Sequence, residues 1–514
     1  MKKITALFFL GLFILFLLPP YDPDFGWHLR CGEEFWQGKG FCQTNNFSVL
    51  LENYSWPSYY WAYQAAVFLI YHFSGFWGLS VANAVLMTAA FGFFWKAIDA
   101  SRLRLSSAEC PSLSVNKWFL EKMLGIILVV FFGWGVFSLG LRSQLVGFLL
   151  FNILLWLFAK AEKNPKAVFF FPLVMLFWAN LHGGSVILGL ILLAYFFFLK
   201  LVGRSPRKEI ISLFLISNFS FLISFLNPSG AGIYTEAWRH LGGLDLSKLI
   251  AEWVAPEPAV LWPLAIAGMV VAGLIFCYET GQKKLNLLLL LPFYYLLFKA
   301  RRNVPFYVEV VAFLFLTSSA VKEKFSSYLS LFFLRRFLAA AIAGLILVYA
   351  VSFHLPVVIA ANSSFVNYCE GTSLSYPYKA VEFLKNIKAS GNIFNRYEWG
   401  GFLIWQRPEQ KIFVDGRMVA WNVTDKDTLL DKGGLTVSGK SPYTIYLETL
   451  QNQPGWEETL ENYKIEWLFI SPGTFMDLLL QPDPRLAGPA PEKYGYREAY
   501  RDGGAVIYQK SAKP

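Results

Sequence analysis

Long apolar runs without charged residues constrain this chain more than any other feature. Of its 514 residues, 55% are hydrophobic and only 16% are charged, whereas about a quarter of the residues of a soluble domain carry a charge. Apolar residues clustered in this way are typical of membrane spans and not of one large core. The net charge of +10 does not indicate nucleic-acid binding, because the Lys and Arg residues lie in short loops between the runs, where they set topology. We therefore predict a polytopic α-helical membrane protein that does not bind nucleic acid.

About eleven transmembrane helices are predicted. They are Ile4–Leu18, Phe76–Ile98, Leu120–Leu139, Leu145–Phe158, Val168–Trp178, Val186–Leu201, Ile210–Leu226, Val260–Tyr278, Leu285–Phe298, Pro305–Ser319 and Phe337–Ile359. Several are shorter than the ~20 apolar residues of a usual span, which favours a tilted bundle with a cavity. Trp61–Phe73 is predicted to be an amphipathic helix at the outer interface, because counting it as a span would place a basic loop outside.

The basic residues also orient the chain. The protein is predicted to lie in the cytoplasmic (inner) membrane. Because Lys2 and Lys3 precede the first span, the N-terminus is predicted on the inner side and the segment after the last span on the outer side. Residues 1–359 are expected to form a transmembrane domain that includes a first outer loop over 21–75. Residues 360–514 mix charges and turns and are expected to form an extracytoplasmic α/β domain. Its predicted elements are a helix at Tyr378–Ile387 and strands at Asn392–Phe394, Lys411–Val414, Trp467–Ile470 and Ala505–Gln509.

Polar residues capable of chemistry lie at the outer ends of the predicted spans. They are Asp22, Asp24, His28, Arg142, Asn180, His182, Glu252, Arg301 and Arg302. Arg301 and Arg302 depart from the tendency of basic loops to lie inside. Ionisable residues gathered at one membrane face indicate a functional site at that boundary.

These residue types suit one kind of reaction. An aspartate can act as general base toward a hydroxyl, and a second aspartate two residues away can orient it or share a divalent cation (Mg²⁺ or Mn²⁺) with it. Arginines can hold a phosphate leaving group through charge-assisted hydrogen bonds. The chain has no nucleotide-binding or zinc-protease motif. The residues therefore indicate group transfer from a membrane lipid phosphate to an acceptor.

Several motifs resemble those of one enzyme family. The relevant stretches are DPDFGWHLRCGE at Asp22–Glu33, FSVLLENYSWPSYYWAYQ at Phe47–Gln64, LRSQ at Leu141–Gln144, NLHGG at Asn180–Gly184, RRNVPF at Arg301–Phe306 and IFNRYEWGGFLIWQRPEQKIFVDGR at Ile393–Arg417. Together they resemble GT-C-type membrane glycosyltransferases, most of all a poorly characterised bacterial branch grouped with protein-mannosyltransferase-like proteins. Ser143 stands where that branch has a proline.

The resemblance implies an inverting glycosyltransferase that uses a polyprenyl-phosphate-linked sugar donor at the outer face of the membrane. The acceptor would be a lipid, a glycan or a protein. In that family an acidic residue of the first outer loop is the catalytic base, and DxD-like pairs are able to bind a metal. Carried over, Asp24 is the preferred base and Asp22 its orienter. Arg301 and Arg302 become phosphate-binding candidates, supported by Arg142.

Each feature also has a structural interpretation. The Asp22–Asp24 turn could cap the following helix, and His28 could be a scaffold residue that hydrogen-bonds Asp24. The NLHGG stretch could be a tight turn between helices, and Arg301 and Arg302 could anchor lipid headgroups.

Two further alternatives stay open. A non-catalytic carrier or flippase of lipid-linked glycans, or an assembly partner, would also need polar residues at the outer face, although a transporter more often shows repeated halves. Cys31 and Cys42 share the first loop and could form a disulfide if that loop faces an oxidising compartment.

Overall fold

A computed structural model describes residues 2–106, 119–242, 252–279, 281–318, 332–371, 375–421, 440–481 and 494–511. The chain divides into two compact units. The first unit comprises Met1–Pro20 and Ser74–Ile359, and the second comprises Tyr21–Phe73 and Ala360–Pro514. The first loop, predicted to belong to the transmembrane domain, shares a compact unit with the C-terminal segment.

Helices dominate the described residues. In chain order they are α1 (Lys2–Leu15), α2 (Phe25–Trp36), α3 (Trp61–Ser106), α4 (Phe119–Phe137), α5 (Ser143–Ala161), α6 (Phe171–Leu181), α7 (Val186–Val202), α8 (Arg207–Ile223), α9 (Gly232–Gly242), α10 (Pro258–Tyr278), α11 (Leu290–Lys299), α12 (Val304–Thr317), α13 (Phe332–Tyr349), α14 (Leu355–Ser363), α15 (Phe365–Gly371), α16 (Tyr378–Asn386), α17 (Gly400–Gln406), α18 (Pro442–Leu450), α19 (Trp456–Asn462) and α20 (Phe475–Leu480). The strands are β1 (Asn392–Asn395), β2 (Ile465–Ile470), β3 (Tyr496–Arg501) and β4 (Val506–Lys510).

Six helical stretches among the described residues are long and apolar enough to cross a membrane. They are Trp61–Ser101, Phe119–Phe137, Ser143–Ala161, Gly183–Val202, Pro258–Tyr278 and Leu334–Ser363. Each of the eleven predicted spans overlaps a helix, but α1, α6, α8, α11 and α12 have 17 residues or fewer and are not among these six stretches. The fold is thus polytopic and helical, while the number of crossings stays a prediction. Ser319, the end of one predicted span, lies outside the described residues.

A break at Gly75 divides α3. Its φ of 57° and ψ of −151° interrupt the helix, and glycine adopts such a conformation without steric cost. The break falls between the predicted interfacial helix Trp61–Phe73 and the predicted span Phe76–Ile98. The boundary between the two units lies just before this break, between Phe73 and Ser74.

The turn after α4 is fixed by close backbone packing inside the first unit. Gly140 has a φ of +71°, and a Cβ placed on it would lie 2.1 Å from the carbonyl oxygen of Pro19. Only glycine combines that conformation with such a close approach. This turn places Arg142 directly before α5.

The second unit contains a small mixed sheet of order β1-β2-β4-β3, in which β1 and β2 are parallel and the other pairs antiparallel. The predicted strands at Asn392–Phe394, Trp467–Ile470 and Ala505–Gln509 are confirmed. The predicted strand Lys411–Val414 is wrong, because only Ile412 forms bridges, to Ile393 and to Ser48. β3, with the sequence YREAYR, was not predicted, because only Tyr496 in it is buried.

The first loop joins this unit through its backbone. Val49 N–H donates to Ile412 O (2.9 Å), and Ile412 N–H donates to Phe47 O (3.0 Å). Within the loop, Cys31 and Cys42 form a disulfide. Residues 21–73 therefore complete the C-terminal fold, which explains why they do not group with the membrane helices.

Candidate active site

Asp22 shapes the turn that opens α2. Its side chain is 4% exposed, and its Oδ1 accepts a hydrogen bond from Asp24 N–H (3.1 Å). Its carbonyl oxygen accepts from the Tyr376 hydroxyl at 3.3 Å. An aspartate that binds the backbone two residues ahead is a common turn device. The structural interpretation therefore describes the Asp22 side chain.

Asp24 occupies the N-cap position of α2, yet its side chain makes no capping hydrogen bond. The Asp24 carbonyl oxygen accepts the first hydrogen bond of the helix, from His28 N–H at 3.2 Å. The half-buried Asp24 carboxylate lies instead against Gly416. Helix capping thus does not account for this carboxylate, and it stays a candidate general base.

Two tyrosines, Tyr376 and Tyr397, lie near Asp22 and Asp24. Burial raises the pKa of Tyr397, and the charges of Asp24 and Asp415 raise it further. Burial likewise raises the pKa of Tyr376, with added contributions from Asp22 and Asp24. Both phenols are therefore neutral at physiological pH. The Tyr376 hydroxyl donates to Asp22 O, and the Tyr397 hydroxyl can serve as a hydrogen-bond donor near the carboxylates.

His28 packs in an aromatic cluster of the second unit. It is 4% exposed, and its ring lies 3.7 Å from Trp27, 5.1 Å from Tyr60 and 5.2 Å from Tyr63, between ring centroids. The Gln64 amide nitrogen lies 3.3 Å from His28 Nδ1, and because an amide N–H only donates, Nδ1 accepts. These contacts favour a scaffold role for His28.

A preformed metal centre is not found in the described part of the chain. No group of three or more His, Cys, Asp or Glu side chains there is placed to hold an ion. Asp22 already uses one carboxylate oxygen in its turn. Mg²⁺ is often held by only one or two carboxylates together with substrate phosphates, so a cation shared by Asp22 and Asp24 stays a prediction. The steps proposed below involve the chain's own side chains.

The first unit holds a separate charged cluster. Arg142 donates two hydrogen bonds to Glu252, at 2.7 and 3.3 Å. The oxygen of the Gln144 amide accepts from the Arg302 guanidinium, which also lies 4.5 Å from the centre of the Trp253 ring. Burial tends to raise the pKa of Glu252, but the charges of Arg142 and Arg302 hold it below its usual value. With Glu252 ionised, two arginines and one carboxylate leave one net positive charge.

A cavity of about 50 Å³ lies beside this cluster. Its lining includes Gln144, His182, Ser185, Arg302 and Phe306. The Ser185 hydroxyl accepts from Trp178 Nε1 (2.9 Å) and lies 2.5 Å from His182 Nδ1. Burial, and then the charges of Arg302 and Arg142, lower the pKa of His182 well below its usual value. The cavity therefore presents a guanidinium, an amide and a neutral imidazole, a set suited to an anionic group.

Two predicted site residues do not line this cavity. The Asn180 amide donates to the carbonyl oxygens of Leu176 (2.8 Å) and Leu226 (2.9 Å), so it joins α6 to the end of α8. The Arg301 side chain is 44% exposed and pairs with Glu257 at 3.0 Å. Both side chains thus have structural partners within the first unit, and their predicted substrate-binding roles stay predictions.

Two residues that these contacts single out are not among the predicted site residues. Gln144 belongs to the LRSQ motif, and Gly416 belongs to the Asp415–Arg417 turn. The glycine of that tail motif was a usable signal, since glycines in such turns favour close backbone packing. Its partner Asp24 lies about 390 residues away in the sequence, so no local pattern could identify the pair.

Neither a protein-family model nor a curated protein matches this chain. Solved structures do. The oligosaccharyltransferase of Archaeoglobus fulgidus in its apo form matches over 91% of this chain and 69% of its own, with a TM-score of 0.54 and 12% identity. The same enzyme tethered by a disulfide to an acceptor peptide with the NVT sequon matches over 100% of this chain and 74% of its own, with a TM-score of 0.55 and 12% identity.

The chain shares the fold of an archaeal oligosaccharyltransferase. This agrees with the expected polytopic helical membrane fold, whereas the GT-C-type family and its bacterial branch stay predictions. At 12% identity the likeness concerns the fold alone, because one fold can carry many functions.

Proposed function

We propose that this protein is an inverting glycosyltransferase that moves a sugar from a polyprenyl-phosphate-linked donor to a hydroxyl-bearing acceptor. The observation that carries the proposal is the position of the half-buried Asp24 carboxylate against Gly416 and near the neutral Tyr397, in a chain with the fold of an oligosaccharyltransferase. A half-buried aspartate with neutral tyrosines around it suits a general base.

In the proposed reaction the acceptor hydroxyl oxygen attacks the anomeric carbon while Asp24 takes its proton. The bond between that carbon and the phosphate oxygen breaks, and its electron pair leaves with the polyprenyl phosphate. Attack opposite to the leaving group inverts the anomeric centre. Asp22 holds the turn that presents Asp24, since its Oδ1 binds the Asp24 N–H.

Arg302 is the proposed phosphate-binding residue of the first unit. It lines the cavity, and stacking on Trp253 and the bond to Gln144 hold its guanidinium. Arg142 is bound by Glu252, so we assign it a supporting role. Charge-assisted bonds from a fixed guanidinium to a phosphate are among the stronger hydrogen bonds in proteins.

The proposed location is the outer face of the cytoplasmic membrane, with the N-terminus inside and residues 360–514 outside. The Cys31–Cys42 disulfide supports this orientation, because disulfides persist mainly in oxidising compartments. The acceptor class, which could be lipid, glycan or protein, is left to experiment.

The decisive test is sugar transfer by the purified full-length protein in lipid nanodiscs. Wild type, Asp24→Asn and Asp22→Asn are given labelled polyprenyl-phosphate sugars with pooled acceptors. We expect Asp24→Asn to lose at least about 100-fold in turnover, the lower end of the ~10²–10⁴ range for a general base. Asp22→Asn should lose much less, because an asparagine Oδ1 can still accept the Asp24 N–H.

A second pair of variants tests the phosphate role. Arg302→Gln should raise the donor KM about tenfold or more, since a charged hydrogen bond contributes roughly 1.5–3 kcal/mol. Arg301→Gln is the matched control and should behave as wild type, because its ion pair is exposed. If wild type binds donor without transferring sugar, the glycosyltransferase proposal fails, and a carrier or assembly partner becomes the better interpretation.

A further inference from the structure

Glycines of the tail motif YEWGG pack against the turn that carries Asp24. A Cβ on Gly401 would lie 2.4 Å from Pro23 O, and a Cβ on Gly26 would lie 2.1 Å from Gly401 O. Real Cβ atoms do not approach carbonyl oxygens so closely, so α2 and α17 touch backbone to backbone. The start of α2 therefore packs directly against Gly401.

The same glycine pair also seats the turn at Asp415. A Cβ on Gly400 would lie 2.4 Å from Val414 O and 2.7 Å from Asp415 Cβ. Pro23 and Asp415 thus rest on neighbouring residues of one helix end. Because these two glycines are adjacent, the turn that contains Gly416 packs against Asp24.

Gly416 meets the carboxylate itself. A Cβ on Gly416 would lie 1.9 Å from Asp24 Oδ1, 2.8 Å from Cγ and 3.2 Å from Oδ2. The φ of Gly416 lies outside the left-handed region, so the backbone conformation does not require glycine there. The space occupied by the Asp24 carboxylate does.

The turn around Gly416 is held on both sides. Arg417 donates through Nε and Nη2 to the two carboxylate oxygens of Asp415, at 2.7 Å each, and both side chains are fully buried. Arg417 N–H also donates to Asp415 Oδ1 at 3.0 Å. These bonds hold the backbone of Gly416 in place beside the Asp24 carboxylate.

We propose that Gly416 is a positioning residue, whose missing side chain sets where the Asp24 carboxylate lies for proton abstraction. The proposal rests on Asp24 being the base of the proposed transferase. It assigns the DGR motif a part in the reaction although none of its residues is proposed to touch the substrate.

The test is Gly416→Ala in the full-length protein. The new methyl group forces Oδ1 to retreat by more than about 1 Å to reach ordinary contact, and a misplacement of that size can cost about 10²-fold in rate. We expect kcat to fall about 100-fold while donor KM changes less than twofold. Folding should persist, because the displaced atom is the end of a flexible side chain. Gly503→Ala is the matched control, since a Cβ there meets nothing within 4 Å.

A second measurement does not depend on activity. Coupling of an amine to carboxylates with a carbodiimide, read for Asp24 by peptide mass spectrometry, should change at least threefold in Gly416→Ala and stay at the wild-type level in Gly503→Ala. Wild-type kcat in Gly416→Ala would overturn the proposal whatever the labelling shows. If wild type transfers no sugar, the proposed function fails; altered labelling would then still support Gly416 as the residue that fixes Asp24, and unaltered labelling would overturn that as well.

Discussion

Replacing Arg417 by methionine leaves a carboxylate buried without its counter-ion. Asp415 and Arg417 are both 0% exposed in their side chains and share two hydrogen bonds of 2.7 Å. Arg417 Nη2 also donates to Asn45 Oδ1 at 3.1 Å. The ion pair therefore ties the first loop to the tail as well as holding its own turn.

The size of the effect depends on which charges remain. Removing one partner of a buried ion pair typically destabilises by about 3–5 kcal/mol, whereas replacing both can be nearly neutral. The double variant Asp415→Asn/Arg417→Met keeps no buried charge and loses mainly the Asn45 bond, about 1–2 kcal/mol. We expect the single variant to lose roughly 4 kcal/mol and the double variant about half of that.

Cys369 provides the assay. This thiol is not in a disulfide and is buried in the second unit. Its alkylation in graded urea, followed by peptide mass spectrometry on the full-length protein, therefore reports unfolding of that unit. Equal losses in the single and double variants would refute the argument from the unpaired charge. A loss below about 1 kcal/mol in the single variant, the level of an exposed pair, would show that water reaches the pair.

Two further predictions concern stability. Replacing Cys31 and Cys42 by serine should cost the second unit about 3 kcal/mol, the loop-entropy value for a sequence separation of 11; the same alkylation measures it, and an unchanged urea midpoint would contradict it. Burial tends to raise the pKa of Asp477, but hydrogen bonds from Arg501, Tyr508 and Gly473 N–H lower it overall. The ionised Asp477 carboxylate therefore stabilises the folded protein fully above the ordinary aspartate pKa of about 4. This stabilisation is lost as the pH falls through the lowered pKa, so Asp477→Asn should flatten the acid side of a plot of stability against pH. A curve as steep as that of wild type would assign the acid loss to other groups.

Local patterns in the sequence predicted the helices well. Apolar runs such as those of α4, α5 and α10 have one stable outcome in a membrane, because every backbone polar group must be satisfied within the segment. The division between Trp61–Phe73 and Phe76–Ile98 was predicted from the basic loop that follows, and the break at Gly75 falls between the two segments. The number of crossings was harder, because α6 and α11 are short and length is the main criterion.

Long-range packing was not predictable in the same way. Residues 47–49 pair with Ile412, and neither segment carries a local signal for the other. The Lys411–Val414 run resembles a strand because it is apolar, but its hydrogen bonds go to the first loop as well as to β1. Side-chain roles depended on the same unseen partners: a carbonyl of Leu226 engages Asn180, and Gln64 lies at His28.

The second unit is assembled from two stretches of chain separated by all of Ser74–Ile359. During synthesis the ribosome delivers Asp24 and its loop long before Gly400, Gly401 and Gly416 exist. The Cys31–Cys42 crosslink spans only 11 residues and can close early, whereas pairing with Ile412 must wait for nearly the whole chain. The candidate base is therefore completed only after the membrane helices have been made, so a truncated or stalled chain carries Asp24 without the glycines that fix it.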